Sequence, residues 1–499
     1  MSHRRSSVGS LFFFCVCSLA LSVAQAAGYW LPTGDGRLRS DLMLLVDEGV
    51  IRLPTNAWPI PVQDVRGALV RVSVDSIQEP ALQNALLRVQ QRVAVDEAGD
   101  DEWRVREATV TAGEPGLLRD FDSLGRENGE LRSAGGATNS RWALNVAVTA
   151  ALSPEDDQPL RFDGSDLTLR WGNWLFSANT LERWWGPGYE SSLILSNNAR
   201  PMPALSIDRA RTTRSSVPIL GWIGPWRFSA FVAALENKRA DVNHPLFMGM
   251  RFSFKPAQIL EFGLSRSAQF CGQGRPCGFS TFGRVILGRD NVGIRVSAED
   301  EPGNQMAGAD FRVVSPVRRL PFAFYGQLIG EDSSSSGIPE RYLGLFGLEG
   351  WWLLQSGTAM RATVEYSMTS CKWYDPQPNA NCAYRQGIFH AGYRYRDRNI
   401  GHTTDSDSEA LGAALRLVRS NGEEWALRYR NAKLDRYGGV DIFNPLTSGP
   451  SDYESAELRW GGNAWNQDLS VQVGFERQRA AGGTIRDGAY GFIQWRRSL

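Results

Sequence analysis

From about residue 141 to residue 496 the chain alternates apolar and polar positions, segment after segment. In "RWALNVAVTAAL" Trp142, Leu144, Val146, Val148 and Leu152 share one face, opposite Arg141, Ala143, Asn145, Ala147 and Thr149. "PLFMGMRFSFK" sets Leu246, Met248, Met250, Phe252 and Phe254 against Phe247, Gly249, Arg251, Ser253 and Lys255. "AMRATVEYSM", "IFHAGYRYR" and "DLSVQVGFE" repeat the pattern. A period of two is the signature of a strand with two different environments. One face is apolar and tipped with aromatics; the other is small, polar or charged. Such segments of about ten residues are long enough to cross a bilayer at a tilt, and about eighteen of them follow one another, an even number. Closure into a barrel leaves no unpaired backbone edge for lipid to meet. The fold class expected is an all-β transmembrane barrel of about eighteen antiparallel strands, with a small N-terminal α-helical bundle. A soluble all-β protein is the rival.

The head has a different period. "DGRLRSDLMLLVDEGV" places Leu38, Leu42, Leu45 and Val46 on one face, with Gly49 as a C-terminal stop. "WPIPVQDVRGALVRV" offers Pro61 at a helix start, then Val65, Leu69 and Val72. "EPALQNALLRVQQRVAV" aligns Leu82, Leu86, Val89 and Val93 in one stripe. Ahead of these lies a basic "MSHRR", the apolar "LFFFCVCSLALSV" and "AQA", the parts of a cleaved signal peptide. The expected division is a signal peptide at 1–26, a periplasmic helical bundle at 27–135 and an outer-membrane barrel at 136–499.

Composition narrows the reading further. The chain carries 54 basic and 54 acidic residues, which argues against a nucleic-acid partner. Of its six cysteines, Cys15 and Cys17 leave with the signal. Cys271, Cys277, Cys371 and Cys382 fall as two close pairs, and an exported chain meets an oxidising compartment. Disulfides Cys271–Cys277 and Cys371–Cys382 are expected, rather than a zinc site, because the spacings are wrong for zinc and no histidine lies close by.

Turn length gives sidedness. The tight "WGNW" (171–174) and "RSNGEE" (419–424) belong on the periplasmic side. The long connection from about 185 to 224 then lies outside or folded into the lumen. "KLDRYGGVDIFNPLTSGPSDY", "DRNIGHTTDSD" and "AAGGTIRDG" also fall outside, and both cysteine loops fall on the periplasmic side.

Two stretches carry a resemblance: "YWLPTGDGRLRSDLMLLVDEGVIRLPTNAWPIPVQDV" in the head and "WWGPGYESSLILSNNARPMPALSIDR" at its junction with the barrel. They are similar to the capsule assembly protein Wzi family of the Gram-negative outer membrane. The resemblance implies a large barrel with a periplasmic bundle. It also implies an outer-membrane lectin that binds and retains capsular or extracellular polysaccharide at the cell surface. The partners expected are that polysaccharide, outer-membrane lipid and the polysaccharide export machinery. The chain departs from common barrel practice at its end, "QWRRSL", where the aromatic stands several residues short of the terminus.

The residues themselves suit a glycan. Sugar rings stack on aromatics, and their hydroxyls need paired donors and acceptors. Trp184, Trp185 and Tyr189 are candidate platforms; Asn197, Asn198, Arg200 and Asp208 are candidate polar partners. Arg209, Arg211 and Arg214 could meet an acidic polymer. A structural role for the same motif stands beside this, with the tryptophans as girdle residues and the Asn pair as a loop-pinning turn. No enzyme is expected, since His244, His390 and His402 have no nucleophile motif beside them. No cofactor and no metal are expected. A channel for sugars or anions is the alternative function. Inward Arg251, Arg361 and Arg394 would line an anion path, or pair with Glu261 and Glu365.

Overall fold

The structure, a computed structural model, describes residues 28–94, 102–215, 217–287, 303–317, 319–333, 339–375, 377–437, 442–465 and 467–498. The signal peptide expected at 1–26 lies outside the described residues.

Three helices form the head: Gly36–Asp47, Val62–Leu69 and Pro80–Val93. Asp35 caps the first by accepting from the Leu38 amide at 2.9 Å. Gly49 ends it in the left-handed region, φ +77°. The expected stripes are buried except for Val72, which lies past the second helix and is half-buried, and they pack against wall residues Val314, Ala323, Trp351 and Ala359. The bundle therefore seals one mouth of the barrel. This is why the first helix is buried on its polar side too, at Arg39, Ser40 and Asp41.

The wall is a closed antiparallel barrel in which Arg104–Glu114 pairs with Gly483–Ser498. It has eighteen strands among the described residues if Leu160–Arg161 and Asp166–Trp171 count as one interrupted strand, since both pair with Trp142–Leu152. Alternation behaves as expected. In Leu246–Ala257, Phe247, Arg251, Ser253 and Lys255 are buried inside, and the opposite set faces outward. Exposed Trp103, Trp171, Trp222, Trp352, Trp425 and Trp465 ring the bundle end, as an interfacial girdle does.

Three expectations need correction. The barrel starts at Arg104, not at residue 136: the strands Arg104–Glu114 and Gly129–Thr138 lie in the stretch assigned to the bundle. Second, "IFHAGYRYR" is not a wall strand. It belongs to the 369–408 loop, which folds into the lumen and buries Phe389 and Tyr393. Tyr393 donates to Ser267 Oγ at 2.6 Å from inside. Third, Ala204–Arg209 is a wall strand of six residues that pairs on both sides. Missing it reverses the sidedness of every later loop, and counting "IFHAGYRYR" reverses it back. Both cysteine loops lie between these two errors. They emerge at the long-loop end, away from the bundle, where the later loops also emerge.

Candidate functional site

Loops 115–128, 180–203 and 369–408 fold inward from the long-loop end and meet the bundle. The stretch 183–203 forms the centre of this plug. Trp184 and Trp185 pair as a two-residue ladder with Trp58 and Ala57 of the head. Trp184 is 0% exposed, with Phe121 edge-on at 5.3 Å; Trp185 is 2% exposed, against Phe231 at 5.6 Å. Neither can stack on a sugar. Tyr189 donates to Glu349 at 2.6 Å, and the Arg39 guanidinium covers its ring at 4.4 Å. Asn197 donates to the Phe121 carbonyl and Asn198 to the Asn399 carbonyl, each at 2.9 Å. Asp208 sits on the wall and accepts from Ser206 at 2.9 Å. Arg209 stacks on Trp226 at 3.5 Å at the bundle end, where Arg211 and Arg214 also lie. Six of the seven candidate glycan residues thus hold the plug or wall together, with Asn197 Oδ1 left buried and without a hydrogen-bond partner.

The inward arginines are paired, most of them with residues of the same plug. Arg312 and Arg361 on the wall grip Asp47 at the end of the first helix, at 2.6 and 2.9 Å, and share Glu349. Arg428, Arg430 and Arg459 bind Asp120, Asp122 and Glu190 of the inward loops. Arg251 pairs with Asp310 at 2.6 Å and Arg394 with Asp405 at 2.6 Å, not with Glu261 and Glu365 as the sequence suggested. Glu261 instead accepts from the Thr55 and Asn56 amides, and Glu365 from the Tyr189 amide. An anion path would need such charges unpaired.

Arg200 is the candidate that reaches an open site. It helps line a small depression at the long-loop end, with Arg119, Arg126, Arg396 and Arg398 facing Glu127, Glu155 and Asp156. The lining holds five cations and three anions, and Asp163 and Glu182 pair with Arg200 and Arg126 from behind it. Arg200 is itself held by Asp163 at 2.8 and 2.9 Å. Arg126 is fixed by the Asn197 and Asn198 carbonyls at 2.7 and 2.9 Å, so the buried asparagines position the site they do not enter. Arg119 is buried, donates to the Gly125 carbonyl at 2.8 Å, and its Nε has no partner. Burial first, then the neighbouring Arg126 charge, push its pKa down to about 9. A carboxylate or sugar oxygen arriving here meets the Arg119 guanidinium, the one of the five that forms no ion pair among the described residues.

Other chemistry is spare. The bridges Cys271–Cys277 and Cys371–Cys382 are both closed. The grouping of Glu331 with Cys371 and Cys382 therefore offers no thiolate to a metal. His402 is buried with Nδ1 on Thr404 at 2.7 Å, and burial pulls its pKa to about 3. His390 is exposed in the 369–408 loop.

The sequence profile described as "Capsule assembly protein Wzi" matches residues 101–489. The chain belongs to the capsule assembly protein Wzi family. A relative in Klebsiella pneumoniae, described as an uncharacterized 55.8 kDa protein in the cps region, is 30% identical over 449 residues, covering 89% of this chain and 84% of its own. The solved structure of Wzi from Escherichia coli superposes with a TM-score of 0.81 at 25% identity, covering 95% of this chain and 100% of that one. It is described as an outer-membrane protein involved in group 1 capsule assembly and as a carbohydrate-binding β-barrel. As a Wzi-family member with this wall, the protein is an outer-membrane β-barrel.

Proposed function

We propose that this protein binds capsular or extracellular polysaccharide and retains it at the cell surface. The bundle and tight turns face the periplasm, and the long loops face outward, the usual arrangement of such barrels. The observation that carries the reading is a plugged barrel whose long-loop end bears the arginine-rich depression around Arg119. A plugged lumen suits holding rather than passage. The Escherichia coli relative's description as a carbohydrate-binding barrel supports the same conclusion.

Retention needs little affinity at each contact. A polysaccharide repeats its unit many times, so one polymer can engage many barrels, and weak contacts multiply. Guanidiniums supply fixed donors for carboxylate and hydroxyl oxygens, and Glu155 and Asp156 accept from hydroxyls.

The test is binding of the producing strain's purified surface polysaccharide to the purified barrel on a sensor surface. Saturable binding is expected. Arg119→Ala with Arg398→Ala should weaken it about tenfold or more, as for loss of a central anchor, with gel mobility of the intact barrel unchanged. A parent that does not bind refutes the function. Normal binding by the double variant refutes the site. A steady large conductance in planar bilayers would restore the channel.

A further inference from the structure

Two stretches of chain leave the long-loop end of the wall and fold back over its outer surface. The first follows the Cys271–Cys277 bridge. Helix Phe279–Leu287 lies against the wall, with Val285 fully buried on Met248, Ala268 and Phe270. Those three belong to the outward set. Their neighbours Phe247 and Gln269 point into the lumen, toward Tyr393 and the Gly392 carbonyl. Arg266 on the wall donates to the Ile286 carbonyl at 3.0 Å and ties down the last turn. The second stretch is the Cys371–Cys382 loop, which lays Trp373 edge-on over Phe346 at 5.7 Å. Gly344 makes room beneath it, since a Cβ there would stand 2.6 Å from the indole nitrogen.

The helix is placed the wrong way round for water. Thr281 and Val285 take the wall side, leaving Phe279 98% exposed and Phe282 and Ile286 more than a third exposed, at 37% and 36%. Tyr374 is exposed beside Trp373. These side chains continue the outward apolar band of the barrel, exemplified by exposed Leu264 on an adjoining strand. Charge points the same way. Between residues 262 and 287 there is no Asp or Glu, and there are three arginines, Arg266, Arg275 and Arg284.

We infer that helix Phe279–Leu287, with Trp373 and Tyr374, is an interfacial anchor that binds the phosphorylated, multiply acylated lipid of the outer leaflet. Phe279, Phe282 and Ile286 enter the acyl region, and Arg275 and Arg284 meet lipid phosphates. The two disulfides hold the chain against the wall at the point where each flap leaves it. This inference uses the sidedness proposed above but not glycan binding.

The first measurement is depth. Phe279→Cys carries a spin label in the full chain, reconstituted in vesicles containing diphosphoryl lipid A, and oxygen access is compared with access of a water-soluble nickel chelate. Leu264→Cys serves as the lipid reference and Asp157→Cys as the water reference, each accepted only if the barrel keeps its heat-modifiable mobility. The label at 279 should match the one at 264; a match to 157 overturns the anchor. The second measurement is lipid A retained through detergent washing. Arg275→Glu and Arg284→Glu should each lower retention by about twenty-fivefold, about fivefold for each of the two charge units changed, and Lys at both positions should restore it. Unchanged retention in the Glu variants overturns phosphate recognition, and the sensor assay with polysaccharide should read the same for all of them.

Discussion

Asp47→Asn should loosen the plug. In the parent, two cations, Arg312 and Arg361, face two anions, Asp47 and Glu349, and all four side chains are at most 3% exposed. The substitution keeps the shape and removes one charge, leaving two guanidiniums to share Glu349. Breaking a buried ionic set by removing one member costs roughly 3–5 kcal/mol, a hundred- to several-thousand-fold in the equilibrium between docked and undocked states. The cost arises from stranded charge more than from lost contact. A second change can therefore reverse it: Asp47→Leu with Arg312→Met leaves Arg361 and Glu349 as a balanced pair, already joined at 2.5 Å. The assay is the temperature at which the compact gel form converts to the unfolded one, read beside the rate of transient openings in planar bilayers. The single variant should convert earlier and flicker open; the double variant should recover most of both. A single variant that matches the parent, or a double variant worse than the single, would refute the argument from charge balance.

Two further predictions come from the same plug. His402 has its pKa pulled by burial from about 6.5 to about 3, so the folded state holds it neutral while the unfolded chain takes up a proton. Its contribution to stability is complete above about pH 6.5 and is lost as pH falls toward 3; His402→Gln should narrow the gap between conversion temperatures at pH 7.5 and pH 5. Trp185→Ala should cost about 3–5 kcal/mol of stability, as for an aromatic removed from a core, and lower the conversion temperature, while polysaccharide retained per folded barrel stays normal. Reduced retention in correctly folded barrels would return Trp185 to the glycan site.

Much of the architecture was legible because lipid and lumen impose opposite demands on alternate residues. Leu246–Ala257 declares both of its faces, and the helical stripes of the head declare one each. The same rule misled at "IFHAGYRYR". A segment packed inside a barrel also has one side on aromatic neighbours and another on polar wall, so it alternates as a strand does. Ala204–Arg209 failed for the opposite reason: six residues give too few alternations to stand out, and the Arg-rich run after it reads as loop. The disulfides were readable because short spacing leaves few pairings. The site was not. Trp184 and Trp185 look like sugar platforms in sequence, and nothing local shows that they pair with Ala57 and Trp58 more than a hundred residues away. Arg119 and Arg126 carried a usable signal, two arginines in a connection bounded by "EPG" and "ENG" turns, hidden by assigning that stretch to the bundle.

The plug also has a bearing on how much of this protein a cell can tolerate. An open barrel of eighteen strands adds a leak with every copy, so its abundance is limited by what the envelope must keep out, such as bile salts and antibiotics. Here the lumen is occupied by inward loops and a bundle clamped by paired charges. Abundance is thereby uncoupled from permeability. A surface can be crowded with polymer-holding sites while the envelope beneath remains a barrier.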